Sequence, residues 1–241
     1  MAHRQRNMEI MARAARWMFD AVFPKFCVRC GSEGVWICDG CSERFQKWSM
    51  RGCCVCKKNS EHLLCGDCAE HAPVSFLFSA YSYTDPFVKK TVHTLKYEYV
   101  SEIARSMGIL LAHRYRDVRH SFISDAYIVP VPIHVKRFRD RGFNQSELIA
   151  RAFAGVVNAV CVCNALKRTV HTQSQVDLSA SERSENVAGA FAIGDISTIY
   201  GKTVYLIDDV CTTGATLLEA ARILRGAGVK DIIGVVFARE E

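Results

Sequence analysis

The chain has 241 residues, of which 49% are hydrophobic and 23% charged, and a formal net charge of +6. That length allows one large or two small domains with a buried core, and the composition excludes a low-complexity or wholly disordered chain. No apolar run approaches the roughly 18 residues of a membrane-spanning helix, and Arg13 and Arg16 interrupt the stretch that would have to act as a secretory signal. An integral membrane or exported protein is therefore not expected, and a cytoplasmic one is.

Residues 8 to 22 fit a helix, with Ile10, Ala14, Trp17, Met18 and Ala21 on one face and Glu9, Arg13, Arg16 and Asp20 on the other, ended by Pro24. The two acids favour a docked surface helix over a membrane-surface or targeting helix, whose polar face would be purely basic.

Nine of the 12 cysteines fall between Cys27 and Cys68. Eight of them form four Cys-x-x-Cys pairs: Cys27/Cys30, Cys38/Cys41, Cys53/Cys56 and Cys65/Cys68. That spacing lets a tight turn aim two thiolates at one ion, and two turns complete a tetrahedral site, so the reading is two structural zinc ions, against redox dithiols or disulfides. The short gaps suit pairing of the first turn with the second and the third with the fourth, although a crossed arrangement fits the spacing too. Cys54 is surplus. Eight bound thiolates and two Zn²⁺ ions would bring the net charge from +6 down to +2. A module this poor in large apolar side chains would depend on its metal to fold.

From Pro73 onward the pattern alternates as in an α/β domain. Strands are expected at 76 to 83, 126 to 131, 203 to 208 and 231 to 238, with another at 160 to 166. Helices are expected over 87 to 111, interrupted near Lys96 and Tyr97, and over 145 to 157 and 216 to 225. Residues 167 to 190 lack periodicity and read as a long lid-like loop. The expected organisation is thus a helix at 1–24, a cysteine module at 25–72 and an α/β domain at 73–241.

The string VYLIDDVCTTGATL at 204 to 217 places two carboxylates at the end of an apolar strand and follows them with small and hydroxylated residues that open a helix. Each part suits a ribose 5-phosphate. Amides of the loop and helix start converge on the anion, Thr212, Thr213 and Thr216 add hydroxyl donors, and Gly214 allows close approach of the backbone. Asp208 and Asp209 are acceptors for sugar hydroxyls or for a metal-bound water. A Walker loop is excluded, because no Gly-Lys-Ser/Thr ending is present. Residues 73 to 170 carry 14 basic and 7 acidic side chains. Their densest run, His134, Lys136, Arg137, Arg139 and Arg141, suits a polyphosphate or a nucleic-acid backbone, the alternative being a solvated charged loop.

DDVCTTGAT resembles the phosphoribosyl pyrophosphate (PRPP) signature of type I phosphoribosyltransferases. VPVPIHVKRFRDRGFNQ at 129 to 145, RTVHTQSQVDLSASERSENVAGAF at 168 to 191, LKY at 95 to 97 and the cysteine pairs together resemble the ComF/GntX family over about residues 25 to 241. The resemblance implies a type I phosphoribosyltransferase-like parallel sheet preceded by a double zinc ribbon. It implies that Asp208 and Asp209 contact the ribose hydroxyls and serve catalysis, and that Thr212, Thr213, Gly214, Ala215 and Thr216 hold the 5-phosphate. The loop after the strand at 126 to 131 would hold the pyrophosphate through Arg137, Arg141 and Asn144. Gln175, Arg183 and Asn186 match the family within the lid, whereas Cys211 falls at a variable position of the signature.

Two functions are consistent with these features. In the first, the chain binds PRPP with Mg²⁺ and transfers the phosphoribosyl group to an acceptor that no segment identifies. In the second, it is a non-catalytic single-stranded DNA-binding factor for natural transformation that retains the fold, contacting DNA through Lys136, Arg137, Arg139 and Arg141, with Phe138 and Phe143 as stacking or core groups. By family resemblance its partners would include a competence helicase or DNA-processing proteins, in the context of DNA uptake.

Overall fold

The computed structural model describes residues 24–47, 53, 56, 58, 65–98, 100–119, 122–171 and 187–240. The helix expected at 8 to 22, Cys54, and the lid residues Gln175, Arg183 and Asn186 lie outside them. The chain forms two compact units that divide between Arg44 and Phe45.

In the smaller unit the chain turns twice around one group of cysteines. Residues 26 to 33 form a tight loop closed by Cys27 N–H to the Ser32 carbonyl at 2.8 Å, and Cys38 caps the short helix α1 (Asp39–Ser42). The buried side chains of its described residues are Cys27, Val28, Ile37 and Cys41. Among the described residues that is too little apolar surface to hold a fold by burial.

In the larger unit the elements run α2 (Gly66–His71), β1 (Phe76–Ser82), α3 (Pro86–Tyr97), α4 (Ile103–Arg119), β2 (Tyr127–Pro130), α5 (Val135–Arg141), α6 (Gln145–Val157), β3 (Leu166–Arg168), β4 (Phe191–Ile193), β5 (Thr203–Cys211), α7 (Ala215–Gly226) and β6 (Asp231–Arg239). Four strands form a parallel sheet in the order β1-β6-β5-β2, and β3 pairs antiparallel with β4. β5 and β6 are buried along nearly their whole length, which is why they read as continuous apolar runs rather than alternating ones.

Both faces of the sheet are covered. On one, α4 and α6 lie side by side, and Tyr115, Phe122, Phe153 and Tyr205 form an aromatic cluster with centroids 5.3 to 6.4 Å apart. Gly108 lets the two helices approach: a Cβ there would stand 2.4 Å from the Ile149 carbonyl oxygen and 2.6 Å from Ala152 Cβ. On the other face, Leu217, Ala220, Ala221 and Leu224 of α7 pack with Val204, Leu206, Ile232 and Val236, and Cys53 is fully buried in that same cluster with Val74 and Leu77.

Local chemistry sets the helix boundaries. Asp85 accepts from Phe87 N–H and Val88 N–H ahead of Pro86, so α3 starts there; it ends at Tyr97 and α4 begins at Ile103, which is the interruption expected near Lys96 and Tyr97. The basic segment expected as a loop is the helix α5, capped by His134 Nδ1 and stopped by Gly142 in the left-handed region at φ 83°. Its consecutive charges hide the helical signal, because no apolar stripe marks a buried face. The strand expected at 160 to 166 is divided. Val160 and Val162 exchange hydrogen bonds with Ile128 of β2, the chain then turns, and β3 begins at Leu166. Among the described residues no helix is long and apolar enough to cross a membrane.

Candidate functional site

The carboxyl ends of β5 and β2 open on a cavity of about 520 Å³. Ligand sites of parallel α/β sheets form at this end, where the loops diverge. β5 delivers Asp208 and Asp209 to the cavity, and Val210, Thr212 and Thr216 continue the wall. α5 presents Arg137 and Arg141, one helical turn apart, and the end of β3 adds Arg168. A smaller adjoining hollow is bounded by Thr212, Gly214, Ala215 and Thr216, where Gly214 takes φ 82° immediately before α7. The positive end of a helix dipole thus lies at the loop expected to hold a phosphate.

The paired acids are buried and held from several sides. Asp208 Oδ1 accepts from Ser146 Oγ at 2.7 Å and from Asp209 N–H at 2.9 Å. Asp209 Oδ1 accepts from Val210 N–H at 2.6 Å and lies 2.9 Å from Lys96 Nζ. Burial, and then the neighbouring Asp209 charge, push the Asp208 carboxyl up to about 7. For Lys96, burial works against the charge, but Asp209 outweighs it and holds the ammonium above the ordinary lysine value. Asp209 Oδ2 is buried with no hydrogen-bond partner among the described residues. An orphaned carboxylate oxygen in a ligand-sized cavity fits a donor brought by a ligand, either a sugar hydroxyl or a metal-bound water.

The expected site residues separate into groups. Asp208, Asp209, Thr212, Thr216, Arg137 and Arg141 line the main cavity, and Gly214 and Ala215 line the smaller hollow. Thr213 Oγ1 accepts weakly from Ala215 N–H at 3.4 Å and lines neither. Asn144 lies behind the wall: its Nδ2 donates to the Val131 carbonyl and its Oδ1 caps α6 through Ser146 N–H, which fixes Ser146 against Asp208. Lys136 and Arg139 are exposed and do not line the cavity, so the basic run divides between two surfaces of one helix. Burial and then Arg141 lower Arg137, and burial and then Arg137 lower Arg168, as expected of guanidinium groups gathered together. Sequence reasoning missed Lys96 and Arg168 as site residues. Both stand inside segments that carry the family resemblance, LKY and RTV, and that was the only available signal.

The eight cysteines assemble as Cys27, Cys30, Cys38 and Cys41 in one group and Cys53, Cys56, Cys65 and Cys68 in the other, with all sulfurs of a group within 4.8 Å of one another. Four ligands at about 2.3 Å from a tetrahedral zinc stand about 3.8 Å apart. The Cys30–Cys38 and Cys56–Cys65 sulfur separations of 3.7 and 3.5 Å fit that figure. The donor sets therefore suit structural zinc, with sequential rather than crossed pairing.

A parallel sheet ending in paired acids, a phosphate-type loop and an opposed arginine pair defines a type I phosphoribosyltransferase fold, and residues 141–241 match the family model described as a phosphoribosyl transferase domain. DNA utilization protein YhgH of Escherichia coli is 32% identical over 206 residues, covering 83% of this chain and 88% of that protein. Competence protein F of Haemophilus influenzae is 29% identical over 200 residues, covering 81% and 87%. Competence protein ComFC of Bacillus subtilis is 27% identical over 202 residues, covering 80% and 79%. The chain belongs to the ComF family of phosphoribosyltransferase-fold proteins that carry paired four-cysteine sites.

Proposed function

We propose that the chain binds PRPP together with Mg²⁺ in the 520 Å³ cavity and transfers the phosphoribosyl group to a nitrogen acceptor, in the cytoplasm and in the context of DNA uptake. The observation that carries this reading is that Asp208 and Asp209 line one cavity together with Arg137 and Arg141, beside the Thr212–Thr216 turn. Asp208 and Asp209 accept hydrogen bonds from the ribose hydroxyls. The amides and hydroxyls of Thr212 to Thr216 donate to the 5-phosphate. Arg137 and Arg141, joined by Arg168, stabilise the pyrophosphate as negative charge builds on it. Asp209, through its unpartnered Oδ2, would hold Mg²⁺ by way of a bound water, and the ion would supply charge shielding to the pyrophosphate.

Isothermal calorimetry with PRPP and Mg²⁺ tests this reading. Asp208→Asn combined with Asp209→Asn should weaken binding at least tenfold, about 1.4 kcal/mol, while zinc content stays unchanged. Unchanged affinity would remove the ribose assignment.

A second reading, single-stranded DNA binding, is favoured by the outer surface of α5, where Lys136 and Arg139 are exposed beside Val135 and Phe138, themselves 52% and 47% exposed. A basic surface with an exposed ring suits a backbone and stacked bases. Lys136→Ala with Arg139→Ala should then reduce the salt dependence of DNA binding by about 0.7 for each phosphate no longer neutralised, and Arg137→Ala with Arg141→Ala should leave it nearly intact. The reverse pattern would place DNA in the cavity, in competition with PRPP.

A further inference from the structure

Outside the cavity and the two four-cysteine groups, one more pair of sulfurs lies side by side among the described residues. Cys161 Sγ and Cys163 Sγ stand 3.6 Å apart, and both residues are half-buried. The intervening Val162 points the other way, into the core, so alternation along an extended chain places the two cysteines on a common face. The turn that begins at Cys163 then draws the second sulfur toward the first. Close sulfurs in the four-cysteine groups have a metal-binding explanation, since each group offers four ligands. Cys161 and Cys163 belong to no group of three or more metal-ligating side chains among the described residues. What two adjacent thiols can do without further ligands is form a bond with each other.

We propose that Cys161 and Cys163 form a reversible redox pair that closes as an intramolecular disulfide. The thiol sulfurs need to approach from 3.6 Å to about 2.05 Å, which two side-chain rotations can supply. Electrons go to a low-molecular-weight disulfide of the glutathione class. One cysteine sulfur, losing its proton, attacks that disulfide, forming a mixed disulfide and releasing one small thiol. The second cysteine sulfur then attacks the mixed disulfide, releasing the second small thiol. In sum the protein loses two hydrogens and two electrons, and the small disulfide gains them.

The bond would be a switch rather than a staple. A loop with a single residue between its cysteines constrains the unfolded chain least, so closing it adds little stability and opening it costs little. Burial raises both thiols above the ordinary cysteine range, so little thiolate is present and closure of the bond is slow. The Glu147–Arg151 ion pair of α6, closed at 2.8 Å, acts on the same thiols, and Glu147 follows Ser146, the residue that holds Asp208. On the other side, Val160 and Val162 bracket Ile128 of β2, whose continuation at Val131 and Pro132 lines the cavity. The pair therefore sits where its oxidation state is felt by two elements of the ligand site.

The test uses the full-length, zinc-loaded protein titrated with oxidised glutathione, quenched with an alkylating agent and read by intact mass and peptide mapping, with zinc release followed in parallel. The expected product is lighter by two hydrogens, carries a Cys161–Cys163 cross-link, retains both zinc ions and reverts with reduced glutathione. Cys161→Ser should instead stop at a stable glutathione adduct on Cys163, a readout that needs only a folded chain. A wild-type protein that stops at a glutathione adduct on either residue, or that oxidises its zinc-site cysteines before the cross-link appears, would overturn the proposal.

Discussion

The two four-cysteine groups are built alike and supported differently. In each, the third cysteine stands at the N-cap of a short helix, Cys38 before α1 and Cys65 before α2. The first group stands in a unit whose described buried side chains number four, two of them cysteine ligands. The second belongs to the larger unit, where Cys53 is fully buried in a core cluster with Val74, Leu77 and Leu206, and Cys65 and Cys68 pack against that cluster. The same coordination chemistry thus replaces a core in one place and extends one in the other. A metal that substitutes for a core controls only its own unit, whereas a metal whose ligands line a core is coupled to the stability of everything packed on it.

The sharpest way to break that comparison is to remove one ligand from each group. Cys53→Ser should release one zinc and lower the stability of the larger unit by on the order of 3 kcal/mol or more, seen as an earlier main transition in urea followed by circular dichroism. Cys27→Ser should also release one zinc but move that transition by less than about 0.5 kcal/mol. Equal effects would mean that the two groups are supported alike.

A smaller effect, without metal, comes from the helical side of the sheet. Gly108→Ala should destabilise the larger unit by about 1–3 kcal/mol, because the new methyl meets backbone at Ile149 and the Ala152 side chain. Both zinc ions should remain, since neither group draws on that side of the core.

The smallest effect belongs to the acids. Burial and the Asp209 charge push the Asp208 carboxyl up to about 7 in the folded chain, well above the ordinary carboxylate range, so between that range and about 7 the folded state binds more protons and its stability falls as pH rises. Asp208→Asn removes the buried charge while keeping an acceptor for Ser146, and should raise stability at pH 8 by on the order of 1 kcal/mol with little change at pH 4. Thermal unfolding at the two pH values checks this. An equal gain at both would attribute the effect to packing instead of titration.

Much of the chain's chemistry was legible in the linear sequence because it is local. The Cys-x-x-Cys spacing, a strand that ends in paired aspartates, and a Thr-Thr-Gly-x-Thr loop are each local features, so spacing alone points to two four-cysteine groups and to the loop beside the cavity. Helix α6 and strands β5 and β6 were equally readable, from an unbroken amphipathic or apolar pattern. Only the tertiary structure decided the rest. Lys96 reaches Asp209 across more than a hundred residues, and Arg168 enters the cavity from a short strand that bears no periodic signal. Asn144 looks like a ligand group but is consumed in capping α6, and the basic run divides into cavity and surface because it is a helix. That one metal group is part of the apolar core while the other is not is likewise invisible in the spacing of the cysteines. Coordination depends on neighbours along the chain, and support depends on neighbours in space.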